Sequence, residues 1–229
     1  MSVDGSAAWA PGGAPAFEPT RRHLSAQQAA TVESLTRAAV TVLRGKGYSG
    51  LTIRLVAAEA GVAPATAYTY FSSKNHLMAE AFWRRLAALP ETASQGSSRL
   101  ERVASVMRGV ALLVSDEPEL SSAVTAALLG DDPEVRHLRI RIGMNIRRRL
   151  ALALRCDGPD GVQAADWIPD QNGAEDPVAA ADEDVLEALE AVWAGGLVRA
   201  GMGHQTYHEI ADRLETFAGL ILSSERDGK

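Results

Sequence analysis

With 229 residues, 46% of them hydrophobic, the chain has material for one large or two small buried cores, which excludes global disorder. The formal net charge of −6 excludes a general polyanion binder, yet residues 1–90 carry nine Lys/Arg against five Asp/Glu and everything acidic in excess lies beyond them, as in a basic head on an acidic body. Cys156 is the only cysteine and excludes an intramolecular disulfide, and no signal-peptide pattern or membrane-length apolar run is present, so a soluble, cytoplasmic protein is expected.

Residues 1–24 are rich in Gly, Pro and Ala and read as a flexible arm, ending in Arg21, Arg22 and His23. That basic end is either a solvated tail or an arm that reaches phosphate or the minor groove. Ser25 and Gln28 make a capping box for a first helix, along which Val32, Leu35, Ala39, Val42 and Leu43 recur at helical spacing until Gly45 and Gly47 stop it. Thr52 is the cap of a short helix over 53–60, burying Ile53, Val56, Ala57 and Ala60, and Gly61 ends it. Pro64 fits the first turn of a third helix that runs to Phe71, because its missing N–H is not needed there. Ser72 or Ser73 caps a fourth, carrying Leu77, Ala81, Phe82 and Leu86 to Leu89.

Residues 90–98 read as a hinge, and the remainder as helices over 100–114, 119–129, 133–155, 183–199 and 207–223. Residues 138–146 alternate apolar and polar as an edge strand does. A helix is expected all the same, since good helix formers flank the segment and no partner strand exists. The acidic stretch 156–182, with Gly, Pro and Asn, is a long loop or a partly disordered insert.

The functional signal lies in 51–74. A short capped helix, a glycine turn and a second short helix carrying hydroxyls and aromatics form a helix-turn-helix, in which the first helix supports the second as it enters the major groove. Small Ala57 and Ala60 suit two helices crossing closely. The set Gly47-Tyr48, Leu51-Thr52-Ile53, Ala57, Ala60-Gly61-Val62, Thr66, Tyr68, Tyr70-Phe71, Ser73-Lys74 and Leu77 resembles the DNA-binding segment of the TetR family of transcriptional regulators. The resemblance implies an all-α fold: an arm 1–24, a helix-turn-helix domain 25–72, and a helical ligand-binding and dimerisation domain 73–229. It implies that Thr52, Thr66, Tyr68, Tyr70 and Lys74 grip phosphates, that Arg54 reads a base edge, and that Ala63, Pro64, Ala65 and Thr69 face the bases. Phe71 is expected in the core, Tyr68 toward DNA, and Tyr70 in either place. Pro64 and Ala67 depart from the family pattern, so standard pairings do not give the operator.

In the body, Val185, Leu189, Val192, Trp193 and Leu197 form one apolar stripe, and Ile210, Leu214, Phe217, Ala218 and Ile221 another. The resemblance implies that these two helices pair with their copies in a homodimer, with Gly195 and Gly196 permitting close approach; the alternative is that both stripes serve only the intramolecular core. Met107, Val110, Val124, Leu128, Met144 and Trp193 are candidate lining of an effector pocket. Arg136, Arg139, Arg141, Arg147, Arg148 and Arg149 share one helix, mostly as solvated or salt-bridged surface, with one or two available to an anionic effector. His204 and His208 stand four apart without a third metal ligand. No phosphate-binding glycine loop, nucleophile elbow or metal cluster occurs, so neither an enzyme nor a cofactor is expected. The expected function is a repressor released from a pseudo-palindromic operator by an apolar or amphipathic small molecule; the alternative is an activator or effector-independent regulator with the same head.

Overall fold

A computed structural model describes residues 26–90, 96, 98–155 and 183–227, with side chains as far as Ser223. The arm 1–24, the Ser25 cap, most of the 90–98 connection and the acidic segment 156–182 with Cys156 lie outside the described residues.

The described residues form an all-α protein. Helix α1, Ala26–Gly50, is broken where expected: Gly47 sits at φ +68°, a conformation glycine adopts without a Cβ penalty, and one more turn follows it. Thr52 Oγ1 accepts from Leu55 N (3.2 Å) and opens α2, Ile53–Glu59, and Gly61 at φ +69° turns the chain toward α3, Pro64–Tyr70. Ser73 then accepts from His76 N (3.0 Å) and opens α4, Lys74–Ala88.

The body starts with a capping box absent from the sequence reading. Ser98 Oγ accepts from Glu101 N, and Glu101 accepts from Ser98 N (both 3.2 Å), at the start of α5, Arg99–Ala111. A 3₁₀ turn, Leu112–Val114, leads to α6, Pro118–Leu129, then α7, Pro133–Arg155, α8, Glu183–Gly201, and α9, Tyr207–Asp227. The alternating segment 138–146 lies inside α7. Helical geometry sorts it into two faces: Leu138, Ile142 and Ile146 are buried four residues apart, while Ile140 and Met144 are exposed.

One apolar core runs through the described chain, from Leu35, Leu43, Val56, Ala67 and Phe71 to Met107, Val124, Leu150, Leu189 and Leu214. Helix α4 joins its two ends, packing on α1 and also on α6 and α7. Across the same seam, Glu117 receives Arg44 from α1 (2.8 Å) and Arg85 from α4 (2.7 Å). Burial acts to raise the Glu117 carboxyl pKa, and the hydrogen bonds and charges of the two arginines outweigh it and hold it below the usual value.

Packing sharpens two readings of the body. The stripes on the last two helices turn largely inward: Val185, Leu189, Ile210, Leu214 and Ala218 are buried within one chain, and Gly196 lies against Ile210 and Leu214 of α9, whereas Gly195 is exposed. The arginines of α7 are not all surface. Arg149 is buried and donates to the carbonyls of Leu89 (2.9 Å), Pro90 (3.0 Å) and Leu86 (3.2 Å), and to Asn145 Oδ1 (2.8 Å). A guanidinium with its fixed fork of donors thereby closes the C-terminal end of α4, sharing the Leu86 carbonyl with Leu89 N and taking up those of Leu89 and Pro90 just beyond the helix.

Candidate nucleic-acid interface and effector cavity

In α3 the helical period presents one face inward and one outward. Ala67 is buried against α2, where a larger side chain would push the helices apart, and Phe71 closes the core beneath. Ala63, Pro64, Ala65, Thr66 and Thr69 are exposed, Tyr68 is 54% exposed, and Tyr70 is half-buried. Thr52 and Arg54 are exposed on the first turn of α2. A seven-residue helix is about 10 Å long, short enough to lie with its outer face in a major groove about 12 Å wide.

Lys74 is the phosphate candidate with a different setting. Its ammonium donates to the Tyr48 carbonyl (3.0 Å) and lies 4.2 Å from the centre of the Tyr48 ring, so it pins the end of α1 to the start of α4. Two N–H donors remain for other acceptors.

Sequence reasoning missed the polar cluster behind this corner. Ser73 donates to Asp132 Oδ2 (2.5 Å), Tyr48 OH donates to Asn75, and the rings of His76 and His137 meet edge to face at 5.8 Å. The Ser73 hydroxyl holds the Asp132 carboxyl below its usual pKa; burial, then the proximity of His137, lowers that of His76; burial, then the charge of Asp132, raises that of Tyr48. Asp132 belongs to the α6–α7 connection, so the cluster ties the base of the helix-turn-helix to the body. Nothing in local periodicity marks residues 59 positions apart as partners.

Within the body, a cavity of about 160 Å³ opens among α4, α5, α6, α7 and α8. Val110, Val124, Leu128 and Trp193, all candidates from the sequence, line it together with Phe82, Ile142, Leu197 and Tyr207. Met107 is fully buried but stands apart from it. Met144 is corrected: it is 66% exposed, because the register of α7 turns Ile142 inward and sends the residue two places on to the opposite side. His204 and His208 are both exposed, and among the described residues no group of three His, Cys, Asp or Glu is placed to hold a metal ion. No described helix is long and apolar enough to cross a membrane.

Residues 35–81 match the bacterial regulatory proteins of the tetR family. An uncharacterized HTH-type transcriptional regulator of Mycobacterium tuberculosis H37Rv is 44% identical over 220 residues, covering 93% of this chain and 92% of its own length. The HTH-type transcriptional repressor KstR of Rhodococcus jostii is 26% identical over 178 residues, 77% of this chain and 75% of that protein. Among solved structures, FadR of Thermus thermophilus, a transcriptional repressor in complex with lauroyl-CoA, superposes with a TM-score of 0.59 at 22% identity, covering 83% of this chain and 93% of that one.

Proposed function

The chain belongs to the TetR family of transcriptional regulators, and from that premise we propose that it is a homodimeric repressor released from a pseudo-palindromic operator when a small apolar or amphipathic molecule fills the body cavity. The observation that carries this reading is the division of the helix-turn-helix: a closed core of Ala57, Ala67 and Phe71 beneath an exposed face of hydroxyls, an aromatic and one arginine. On this reading residues 25–72 bind DNA and 73–229 bind effector and the second copy. Thr52, Thr66, Tyr68, Tyr70 and Lys74 hold phosphates, Arg54 donates to a base edge, and Ala63, Pro64, Ala65 and Thr69 face the groove floor.

Repression is supported by the KstR and FadR likenesses, and ligand control by the acyl-CoA that FadR holds. The dimer is assigned to the outward faces of α8 and α9, where exposed Ala191 and Gly195 leave room for close approach and Leu220 is 63% exposed. Two heads held at a fixed separation read half-sites one helical turn apart, and a cavity ligand that moves α4 changes that separation.

The experiment is fluorescence anisotropy of the protein on the DNA upstream of its own gene, at fixed salt, with Arg54→Ala and Tyr68→Ala alongside. Tight, salt-sensitive binding that falls about tenfold or more in each variant is expected. Wild-type binding no tighter than to random DNA, there and in a genome-wide selection, would sink the reading.

A further inference from the structure

Outside the body cavity, a groove of about 500 Å³ runs between α1 and α4, within the size range of small-ligand sites. Its floor is made of small side chains: Val40 of α1 and Ala81 and Ala88 of α4 leave the space open. Its rim is cationic. Arg37 and Arg44 stand two turns apart on one face of α1, and Arg84 and Arg85 face them from α4. At 1.5 Å per residue the α1 pair spans about 10 Å of the groove.

These four guanidinium groups, with five N–H donors each, meet few acceptors. Arg37 pairs with Glu33 (2.7 Å), the one acid that lines the groove, and Arg84 Nε pairs with Glu80 (3.0 Å). Arg44 and Arg85 share a single carboxylate, that of Glu117 (2.8 and 2.7 Å), and Arg85 also donates to the Leu113 carbonyl (3.3 Å). Among the described residues neither Nη group of Arg84 has an acceptor. Two arginines on one acid leave a surplus positive charge at the groove, in a chain whose formal net charge is −6. The whole molecule therefore repels anions, and the attraction is local. Planar donor forks converging from two helices match the oxygens of phosphate, and their spread along the groove suits a row of phosphates better than one.

We infer that the groove between α1 and α4 binds a small anion carrying two or more linked phosphates, held by Arg37, Arg44, Arg84 and Arg85. The site is separate from the effector cavity, with which it shares no lining residue, and from the DNA-facing side chains, none of which lines it. Its ligand competes with Glu117 for Arg44 and Arg85, and so acts on the contact that ties α1 and α4 to the body.

Titration calorimetry of the full-length protein with inorganic tripolyphosphate, at fixed salt and without divalent cations, tests this. Tripolyphosphate is expected to bind at one site per chain, at least about tenfold more tightly than inorganic phosphate. ATP is the companion probe: tighter binding than tripolyphosphate assigns the site to nucleotides, weaker binding to inorganic polyphosphate, and either order supports the site. Arg37→Gln and Arg84→Gln are each expected to weaken tripolyphosphate about tenfold, and Glu117→Gln, which frees Arg44 and Arg85, to tighten it about fivefold. Arg54→Ala leaves it unchanged. No saturable binding at millimolar tripolyphosphate, equal affinity for inorganic phosphate, or indifference to both Arg37→Gln and Arg84→Gln would overturn the inference. So would loss of binding in Arg54→Ala, which places the anion on the DNA-binding face, and a Glu117→Gln protein that binds no more tightly defeats the competition with Glu117. The Arg37 side chain is 72% exposed, so Arg37→Gln decides the matter should Arg84→Gln not fold.

Discussion

The helix-turn-helix and the body treat their polar side chains in opposite ways. In α2 and α3 the polar groups stand outside the core, and Arg54, Thr66, Tyr68 and Thr69 are exposed. In α5 and α7, Arg102 and Arg149 are buried and directed at main-chain carbonyls, those of Ala153 and of the end of α4. An exposed arginine is available to a partner and contributes little to the fold; a buried one spends its donors on main-chain carbonyls and fixes where helices end. Chemical likeness along the sequence therefore says little about role until burial is known.

The largest expected effect follows from that contrast. Arg149→Met takes a buried guanidinium away from the carbonyls of Leu86, Leu89 and Pro90 and leaves the polar end of α4 against an apolar side chain, and is expected to cost about 3 kcal/mol in urea unfolding. Arg54→Met is expected to change stability by less than about 0.5 kcal/mol while losing operator binding. Equal stability losses in the two variants would break the comparison.

Next comes a contrast between two glycines of α8. A Cβ added at Gly201 would lie 2.7 Å from Thr125 Cβ, and that threonine is held by its bonds to Ser121 and Tyr207, whereas a Cβ at Gly195 meets nothing within 4 Å. Gly201→Ala is expected to lower the stability by about 2 kcal/mol, while Gly195→Ala spares the packing within one chain, where alanine favours a helix, and weakens only the close approach of the two copies. Thermal unfolding of the pair checks this. A milder loss, about 1 kcal/mol, is expected for Thr52→Ala, whose side chain caps α2; there the loss is accompanied by weaker DNA binding.

The same contrast explains what was legible in the sequence. Elements of the helix-turn-helix are announced by residues within four positions of their effect: Thr52 capping, Gly61 turning, Pro64 starting, Ala67 packing. The body helices were legible as helices for the same reason, including α7 through its alternating segment. Their faces were not, because an apolar stripe has the same spacing whether it meets its own chain or a copy, and because Ile142 and Met144 are equally apolar. Gly195 and Gly196 stood out as a pair, yet Gly201 makes the tightest approach, and its neighbour Thr125 is 76 positions away. Arg149 looked like one of six surface cations, since only tertiary structure brings the end of α4 to it.

The smallest effect belongs to the seam between the two regions, where Ser73, Asp132, His76 and His137 meet. Both His76 and Asp132 have depressed pKa values in the folded protein, the first by burial and then by His137, the second by the Ser73 hydroxyl. In each case the unfolded chain takes up the proton first as pH falls, so each contribution is complete above the unfolded value and is lost on acidification. These two groups are expected to contribute one decline beginning near the ordinary histidine pKa of about 6.5 and one below the ordinary aspartate value of about 3.9, where Glu117 adds its own loss. Each group is partly open to solvent, so neither step exceeds about 1 kcal/mol. Urea unfolding across pH resolves them: His76→Phe removes the upper step and Ser73→Ala shrinks the lower. An unchanged lower step in Ser73→Ala would mean that Asp132 does not join the base of the helix-turn-helix to the body through that hydroxyl. The two regions would then communicate through α4 with its Arg149 cap and through Glu117, which Arg44 and Arg85 hold across the seam.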